Sequence, residues 1–335
     1  MSTDYRVGPQ ADPAADADFA GDAELADAPG SDEPEKREAE VPRALHGARL
    51  DKAVVAMAGE FSRSHLQTLI EAGHVWVEGR AVTTASRKVQ AGQRIVVELV
   101  PTPESRAFVP EPLALSIVYE DEQLMVVNKA AGMVVHPAAG NWSGTLLNGL
   151  LAHHAGAAAL PRAGIVHRLD KDTSGLMVVG KTLQAVTALV RAIAAREVHR
   201  QYLAIAHGEM REARLRIDAP IGRDPQSRIR MAVLASGKPA MTDVERIAVA
   251  GGFSALRCTL HTGRTHQIRV HLASRGHPLV ADAVYGGAAA LGMQRQALHA
   301  TKLEFSHPTR GEALSFSAEA PADFAAAWAR VHEAS

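Results

Sequence analysis

Residues 164–181 read GIVHRLDKDTSGLMVVGK. His167, Arg168, Asp170, Lys171 and Asp172 stand just ahead of an apolar run that predicts a buried strand. The charged cluster therefore falls on the loop entering that strand, and loops held against a rigid sheet commonly bear catalytic groups. A carboxylate so placed can serve as nucleophile, as base or as partner to a cation. The ordinary alternative is an Asp-rich turn in which Asp170, Asp172, Thr173 and Ser174 bond their own backbone. A second basic loop, TGRTHQIRVH, offers Arg264, His266, Arg269 and His271. Arginine's planar fork suits either a phosphate or a carboxylate, and Arg264 and Arg269 need not face the same way. RQYLAI adds Tyr202 at the start of a strand.

The elements that must position these groups follow from periodicity. IVYEDEQLMVVNK reads as two strands, and TLQAVTALVRAIAAREV as an amphipathic helix with Val186, Leu189, Val190 and Ile193 on one face. RQYLAIAHG is a strand, FSALRCTLHTGRTHQIRVHLASRG runs strand, basic turn, helix, and LEFSHPTRGEALSFSA is a closing hairpin. One larger domain of mixed helices and strands is expected over residues 116–325. Residues 102–115, rich in proline, read as an extended linker. Upstream, residues 43–101 predict a small module. RLDKAVVAMAG is a helix with Leu50, Val54, Val55 and Met57 at helical spacing. SRSHLQTLIEAG is a second helix with Ser62 as cap and Gly73 as stop, and short strands follow.

Charge divides along the chain. Residues 1–42 hold twelve Asp/Glu and three Lys/Arg, a net of −9, and the remainder nets +8. The tail is read as disordered, because it has too few large apolar residues to offset its ordering entropy. A basic body behind an acidic tail suggests a polyanionic partner. One cysteine, Cys258, excludes an intrachain disulfide or a cysteine zinc site, and its alternating context makes it a small core residue. The N-terminus lacks the basic start and apolar core of a signal peptide, and LLNGLLAHHAGAAAL is too short and polar for a membrane span. The sixteen histidines show no metal-ligand spacing with carboxylate or cysteine company, so no metal is expected. No phosphate-cradling or dinucleotide motif is present, so no cofactor is expected.

RLDKAVVAM, SRSHLQTLIEAGHVWVEGRAV and AGQRIVVEL resemble the S4 RNA-binding domain. The resemblance implies RNA contacts at Arg49, Arg63, Ser64, Gln67, Arg80 and Lys88, types suited to phosphates and sugars. HRLDKDTSGLMVVGKT, VVNKAAGMVVHP, RQYLAI, TGRTHQIRVHLASRGHPLVADAVYG and RQALHA resemble the RluA-type pseudouridine synthases, in the same order. The family usually has proline where this chain has Ala130 and Ala283, which bears on loop rigidity.

The resemblance implies an α+β fold: a mixed, largely antiparallel central sheet with flanking helices and a central cleft, behind the S4-like domain. It implies a cofactor-independent isomerase that converts uridine in RNA to pseudouridine. Asp170 is then the essential carboxylate, Arg269 its ionic partner, and Tyr202 the ring stacked on the flipped uracil, which also helps remove the C5 proton. Arg168, His167, Arg264 and Lys129 complete the RNA-binding set. Arg168 would hold a phosphate or fill the gap left by the base, His167 would orient the loop, and Lys129 and Asn128 would support it. The implied partner is 23S ribosomal RNA, with the helix 69 stem-loop as target, acted on by a cytoplasmic monomer. Two rival readings remain at this level. One is a non-catalytic S4-type RNA-binding or ribosome-assembly factor. The other is a glycoside-type hydrolase using Asp170 and Asp172, although residues two apart on a turn usually point apart.

Overall fold

The computed structural model describes residues 35–61, 63–100, 107–138, 140–227 and 229–334. The chain divides between residues 106 and 107 into two compact units.

In the first unit β1 (Glu35–Glu40) is followed by α1 (Leu50–Met57) and α2 (Arg63–Glu71), then β2 (Val75–Val77), β3 (Arg80–Ala81) and β4 (Arg94–Leu99). The strands form an antiparallel sheet in the order β1-β4-β2-β3. Leu50, Val54, Leu66, Leu69, Ile70, Val75, Val77, Ile95 and Val97 make its core. Val55 and Met57, expected on the inner face of α1, are only half-buried, and Asp51 and Ala53 take that face with Leu50 and Val54. Helix α2 ends where expected. Gly73, at φ +85°, donates to the Ile70 carbonyl and His74 to the Leu69 carbonyl. That paired bonding needs the left-handed conformation glycine adopts without strain. The Ser62 cap lies outside the described residues.

The expectation of a tail without structure through residue 42 is corrected at residues 35–42. Residues 35–40 pair with β4 in register, from Glu35 opposite Leu99 to Glu40 opposite Arg94. Composition misses this because the charges meet opposite charges: Lys36 lies 3.4 Å from Glu98, Arg94 bonds Glu38, and Arg37 pairs with Glu60. Val41 then turns into the core. Residues 1–34 of the tail lie outside the described residues.

The second unit contains β5 (Ile117–Glu120), β6 (Leu124–Lys129), α3 (Leu146–His153), β7 (Ser174–Gly180), α4 (Leu183–Ala194), β8 (His199–His207) and β9 (Arg214–Asp218). It continues with β10 (Ile221–Arg223), β11 (Met231–Val233), β12 (Met241–Ala250), β13 (Phe253–Leu260), α5 (Gln267–Ser274), β14 (Leu298–Ser306), β15 (Ala313–Ser317) and α6 (Ala322–His332). Nine strands form one sheet, β5-β6-β7-β14-β8-β13-β12-β9, with β15 also on β14. Every pairing is antiparallel except β7 with β14.

Helices cover both faces, so central strands are apolar on both sides. Met125, Val127, Met177 and Val179 join one core with Leu146, Leu150, Ile268 and Leu272 of α3 and α5. Their neighbours Leu124, Val126, Leu176 and Val178 join another with Val186 and Leu189 of α4. On β8 the same alternation sends Tyr202, Ala204 and Ala206 to the α3/α5 side and Ile205 to the α6 side. Gly175, at φ +119°, lets β7 approach β14, since a Cβ there would stand 2.2 Å from the Ala300 oxygen.

Two boundaries and one face in this unit differ from the sequence reading. Residues 107–115 belong to this unit rather than to a linker: the buried Asn148 side chain donates to the carbonyls of Ala107 and Val109. The unit runs past residue 325, because α6 buries Phe324, Ala327 and Val331. Val190 of α4 faces solvent, and Ala185 takes the inner position with Val186 and Leu189. Cys258 is fully buried, and that burial pushes its thiol up to about 12.

In the first unit Asp51 is enclosed and accepts hydrogen bonds from Arg49, Arg63 and Gln67 at 2.7–3.1 Å. The Arg49 bond is the largest influence holding its carboxyl far below the usual range, overcoming the effect of burial. Asp51→Ala is expected to destabilise this unit by about 2 kcal/mol, the order of one charged hydrogen-bond cluster. Denaturant unfolding followed by Trp76 fluorescence checks it.

Candidate active site

The loop between α3 and β7 is fixed largely through its backbone. Ile165 bridges to Val179, and the Val178 N–H donates to His167 Nε2 at 3.1 Å. The Thr173 N–H donates to the Asp170 carbonyl, closing a tight turn. The Lys129 ammonium donates to the carbonyls of Ala130, Met133 and Lys171 at 2.8–2.9 Å. Arg295 donates to the Asp172 carbonyl at 2.9 Å. With its backbone so held, the loop leaves the Asp170 carboxylate free to point outward.

That carboxylate meets Arg269 of α5. Arg269 Nη1 donates to Asp170 Oδ2 at 2.9 Å, while Nε and Nη2 fork onto Asp282 at 2.8 and 2.9 Å. The guanidinium also lies over the Tyr285 ring, 5.1 Å from its centre. Burial works against the Arg269 charge, but the Asp282 and Asp170 carboxylates outweigh it and raise its pKa. The arginine therefore stays cationic while nearly enclosed, and it anchors Asp170 from a buried point. The Asp170 side chain keeps 16% of its surface exposed, so a substrate can reach it.

His266 caps α5 in a left-handed conformation, φ 56° and ψ 23°. Its Nδ1 lies 2.8 Å from the Tyr285 hydroxyl, which also accepts from the Met231 N–H. Its Nε2 stands 3.8 Å from Asp170 Oδ1. Burial is the main cause lowering the His266 pKa. The hydroxyl proton then goes to Nδ1, and the Nε2–H faces Asp170.

Tyr202 points from β8 into the same region. Its phenol pKa is raised chiefly by burial, with the Asp170 charge adding to it and Arg200 opposing. Arg168 is exposed, and its charge is felt at His136 and His266. Arg264 is half-buried and donates from Nε to the Pro239 carbonyl at 3.1 Å.

Two residues of the RNA-binding set expected from sequence are buried. His167 is buried and bonded to Val178, and burial, helped by Arg200, lowers its pKa to about 3. Lys129 is buried beneath the loop with all three protons on carbonyls, and burial lowers its pKa to about 8 against the pull of Asp170 and Asp172. Both brace the loop from within. In the first unit, Ser64, Arg80 and Lys88 are exposed, whereas Arg49, Arg63 and Gln67 commit donors to Asp51. Sequence reasoning passed over Asp282, Tyr285 and Asp51. The first two lie in a stretch quoted for its resemblance, and the signal was an Asp three residues before a Tyr in an otherwise apolar loop.

Residues 123–274 match the family described as RNA pseudouridylate synthase, and residues 48–95 match the S4 domain. A ribosomal large subunit pseudouridine synthase D from Neisseria meningitidis serogroup B is 47% identical over 321 residues, covering 92% of this chain and 84% of that protein. The chain belongs to the RNA pseudouridine synthase family. A relative of the same name from Nitrosomonas europaea is 46% identical over 89% of each chain. Another from Xanthomonas campestris pv. campestris is 44% identical over 86% of this chain and 90% of that one. Among solved structures, human RNA pseudouridylate synthase domain containing 1 matches with a TM-score of 0.50 at 30% identity, covering 63% of this chain and 86% of that one. The enzyme is thus an isomerase acting on RNA, with a mixed central sheet and an S4 domain before it.

Asp282→Ala is expected to cost about 3 kcal/mol of stability, because it leaves half of a buried ion triad unpaired. It should also lower kcat at least tenfold with KM little changed, since Asp170 loses its anchored partner; denaturant melts and single-turnover assays check both effects.

His136 and His167 are held neutral by burial, at about 4 and about 3 against an ordinary 6.5. Below 6.5 the unfolded chain takes up protons that the folded chain refuses, so stability is full above that pH. It should fall as pH drops toward 4, by up to about 1.4 kcal/mol per pH unit for each histidine. Thermal melts between pH 7 and 4.5 should show this slope, and His167→Gln should flatten it.

Proposed function

We propose that this enzyme isomerises uridine to pseudouridine in large-subunit 23S ribosomal RNA, at the helix 69 stem-loop, with Asp170 as the acting carboxylate. The observation that carries the reading is the Asp170–Arg269–Asp282 chain of ion pairs, which ends on a partly exposed carboxylate. The names of the relatives supply the ribosomal target.

The chemistry follows from the groups present. The uridine must leave its stack before its sugar can meet Asp170, and eversion costs a few kcal/mol. Arg168, exposed at the rim, is suited to holding a phosphate or filling the space the base vacates. The N1–C1′ bond then breaks, the uracil turns, C5 bonds to C1′, and the C5 proton is lost while N1 gains one. Asp170 serves this either by adding to C1′ or by assisting removal of the C2′ proton. Tyr202 enters as a neutral phenol, because its pKa is raised. It therefore suits stacking on the uracil and relaying the C5 proton rather than acting as a phenolate base. No net oxidation occurs, so no redox cofactor is required. Asp172 takes no part in this reading: of the two loop aspartates, Asp170 is the one paired with Arg269.

Asp170→Asn is expected to bind a helix 69 transcript within about threefold of the wild type and to form no pseudouridine. Carbodiimide mapping by primer extension and tritium release from C5-labelled uridine read the outcome; full activity in the variant would refute the assignment. Tight binding by the wild type with no tritium release would instead favour a non-catalytic assembly factor.

A further inference from the structure

Arg200 stands on β8 two residues before Tyr202, so the two side chains leave the strand on one face. Its charge is felt at the Tyr202 phenol and at His167, which puts the guanidinium in their company. It is only 7% exposed. Among the described residues no carboxylate pairs with it, and its Nε–H is enclosed without an acceptor. His167 supplies a second enclosed donor: its Nε2 accepts from Val178, so Nδ1 bears the proton, and Nδ1 too lacks an acceptor. A lone guanidinium taken out of water is costly unless an anion compensates it. Arg269, equally buried, has two carboxylates; Arg200 has none.

The loop from β13 to α5 passes over this cation. A Cβ built on Gly263 would stand 2.9 Å from Arg200 Nη1. Gly263 is exposed and is not among the residues with positive φ, so its backbone would accept other residues. What the missing side chain secures is approach to the guanidinium. The loop is held in place by Gln267, whose side chain accepts from Thr262 Oγ1 and the Arg264 N–H and donates to the Met241 carbonyl and Thr242 Oγ1. The loop beside the guanidinium is thus held in place.

We propose that Arg200, reached past Gly263, is an anion subsite that takes a backbone phosphate of the RNA strand next to the everted uridine. The proposal rests on the isomerase reading of the Asp170 site and gives it a register device. A phosphate clamped on the Tyr202 face of β8 fixes the strand so that the target sugar lies over Asp170. Such a contact positions the strand and reads no sequence.

The test uses the full chain and a uridine-containing RNA stem-loop, with binding followed by fluorescence anisotropy across a KCl series. Arg200→Gln is expected to weaken binding about tenfold at low salt. It should also reduce the slope of log affinity against log salt by about 0.7–0.9, the value of one phosphate contact. Arg200→Lys should keep the slope. Gly263→Ala retains the charge but crowds its approach, and should weaken binding severalfold with Tm unchanged. Wild-type affinity and slope in Arg200→Gln, with only kcat reduced, would overturn the proposal and make Arg200 a positioning residue for Tyr202. If Arg200→Gln does not fold, Gly263→Ala decides, and unaltered binding there overturns it. Binding and product formation are read separately, so a wild type that binds but makes no pseudouridine marks failure of the isomerase reading, whereas wild-type binding and slope in Arg200→Gln mark failure of the subsite.

Discussion

The larger unit is organised around one guanidinium shared by two carboxylates. Arg269 gives two donors to Asp282, on the loop after α5, and a third to Asp170, on the loop before β7. Alone in so enclosed a place, each charge would cost several kcal/mol. Together they fix two loops 99 and 13 residues away in sequence to the same helix. The Asp170 carboxylate is thereby aimed by a partner that Asp282 holds from the other side. Tyr285 closes the arrangement, with its ring under the guanidinium and its hydroxyl on His266.

A second constraint keeps the loop itself from relaxing. Carbonyl oxygens of residues 130, 133, 171 and 172 would lie near the sheet without strand partners, and the Lys129 and Arg295 side chains satisfy them. Buried carbonyls left unpaired are costly, so cationic side chains here do the work that a ladder does elsewhere in the sheet. That explains why such basic residues cluster around an acid without all of them meeting solvent or substrate. Some of the positive charge in this neighbourhood is internal scaffolding.

Much of this was legible in the sequence. The strands β5 to β8, helix α4, the β13–α5 turn and the β14–β15 hairpin follow from periodicity, because a sheet covered on both faces writes long apolar runs. The nearness of Asp170 and Arg269 came from resemblance, since no local rule brings together residues so far apart. Exposure was harder to read. His167 and Lys129, expected to orient and support the loop, are enclosed, and tertiary contacts show that one accepts from β7 and the other caps three carbonyls. Asp51 and Asp282 escaped for the same reason: a buried acid is recognised by the arginines that come to it, and those come from elsewhere in the chain. Strand β1 escaped because its register, rather than its composition, neutralises its charges.

The position of β14 has a consequence for the protein's birth. This strand begins at residue 298, yet it lies between β7 and β8, which end 118 and 91 residues earlier. While the chain is being made, the two halves of the sheet have no neighbour along those edges. The loop bearing the acid has its outgoing strand, but not the His299 contact to Ser174 or the Arg295 hold on Asp172. Long-range closure of this kind is slow and comes last. The hold on the acid's loop is therefore complete only once residues 295–306 have been made and have closed the sheet.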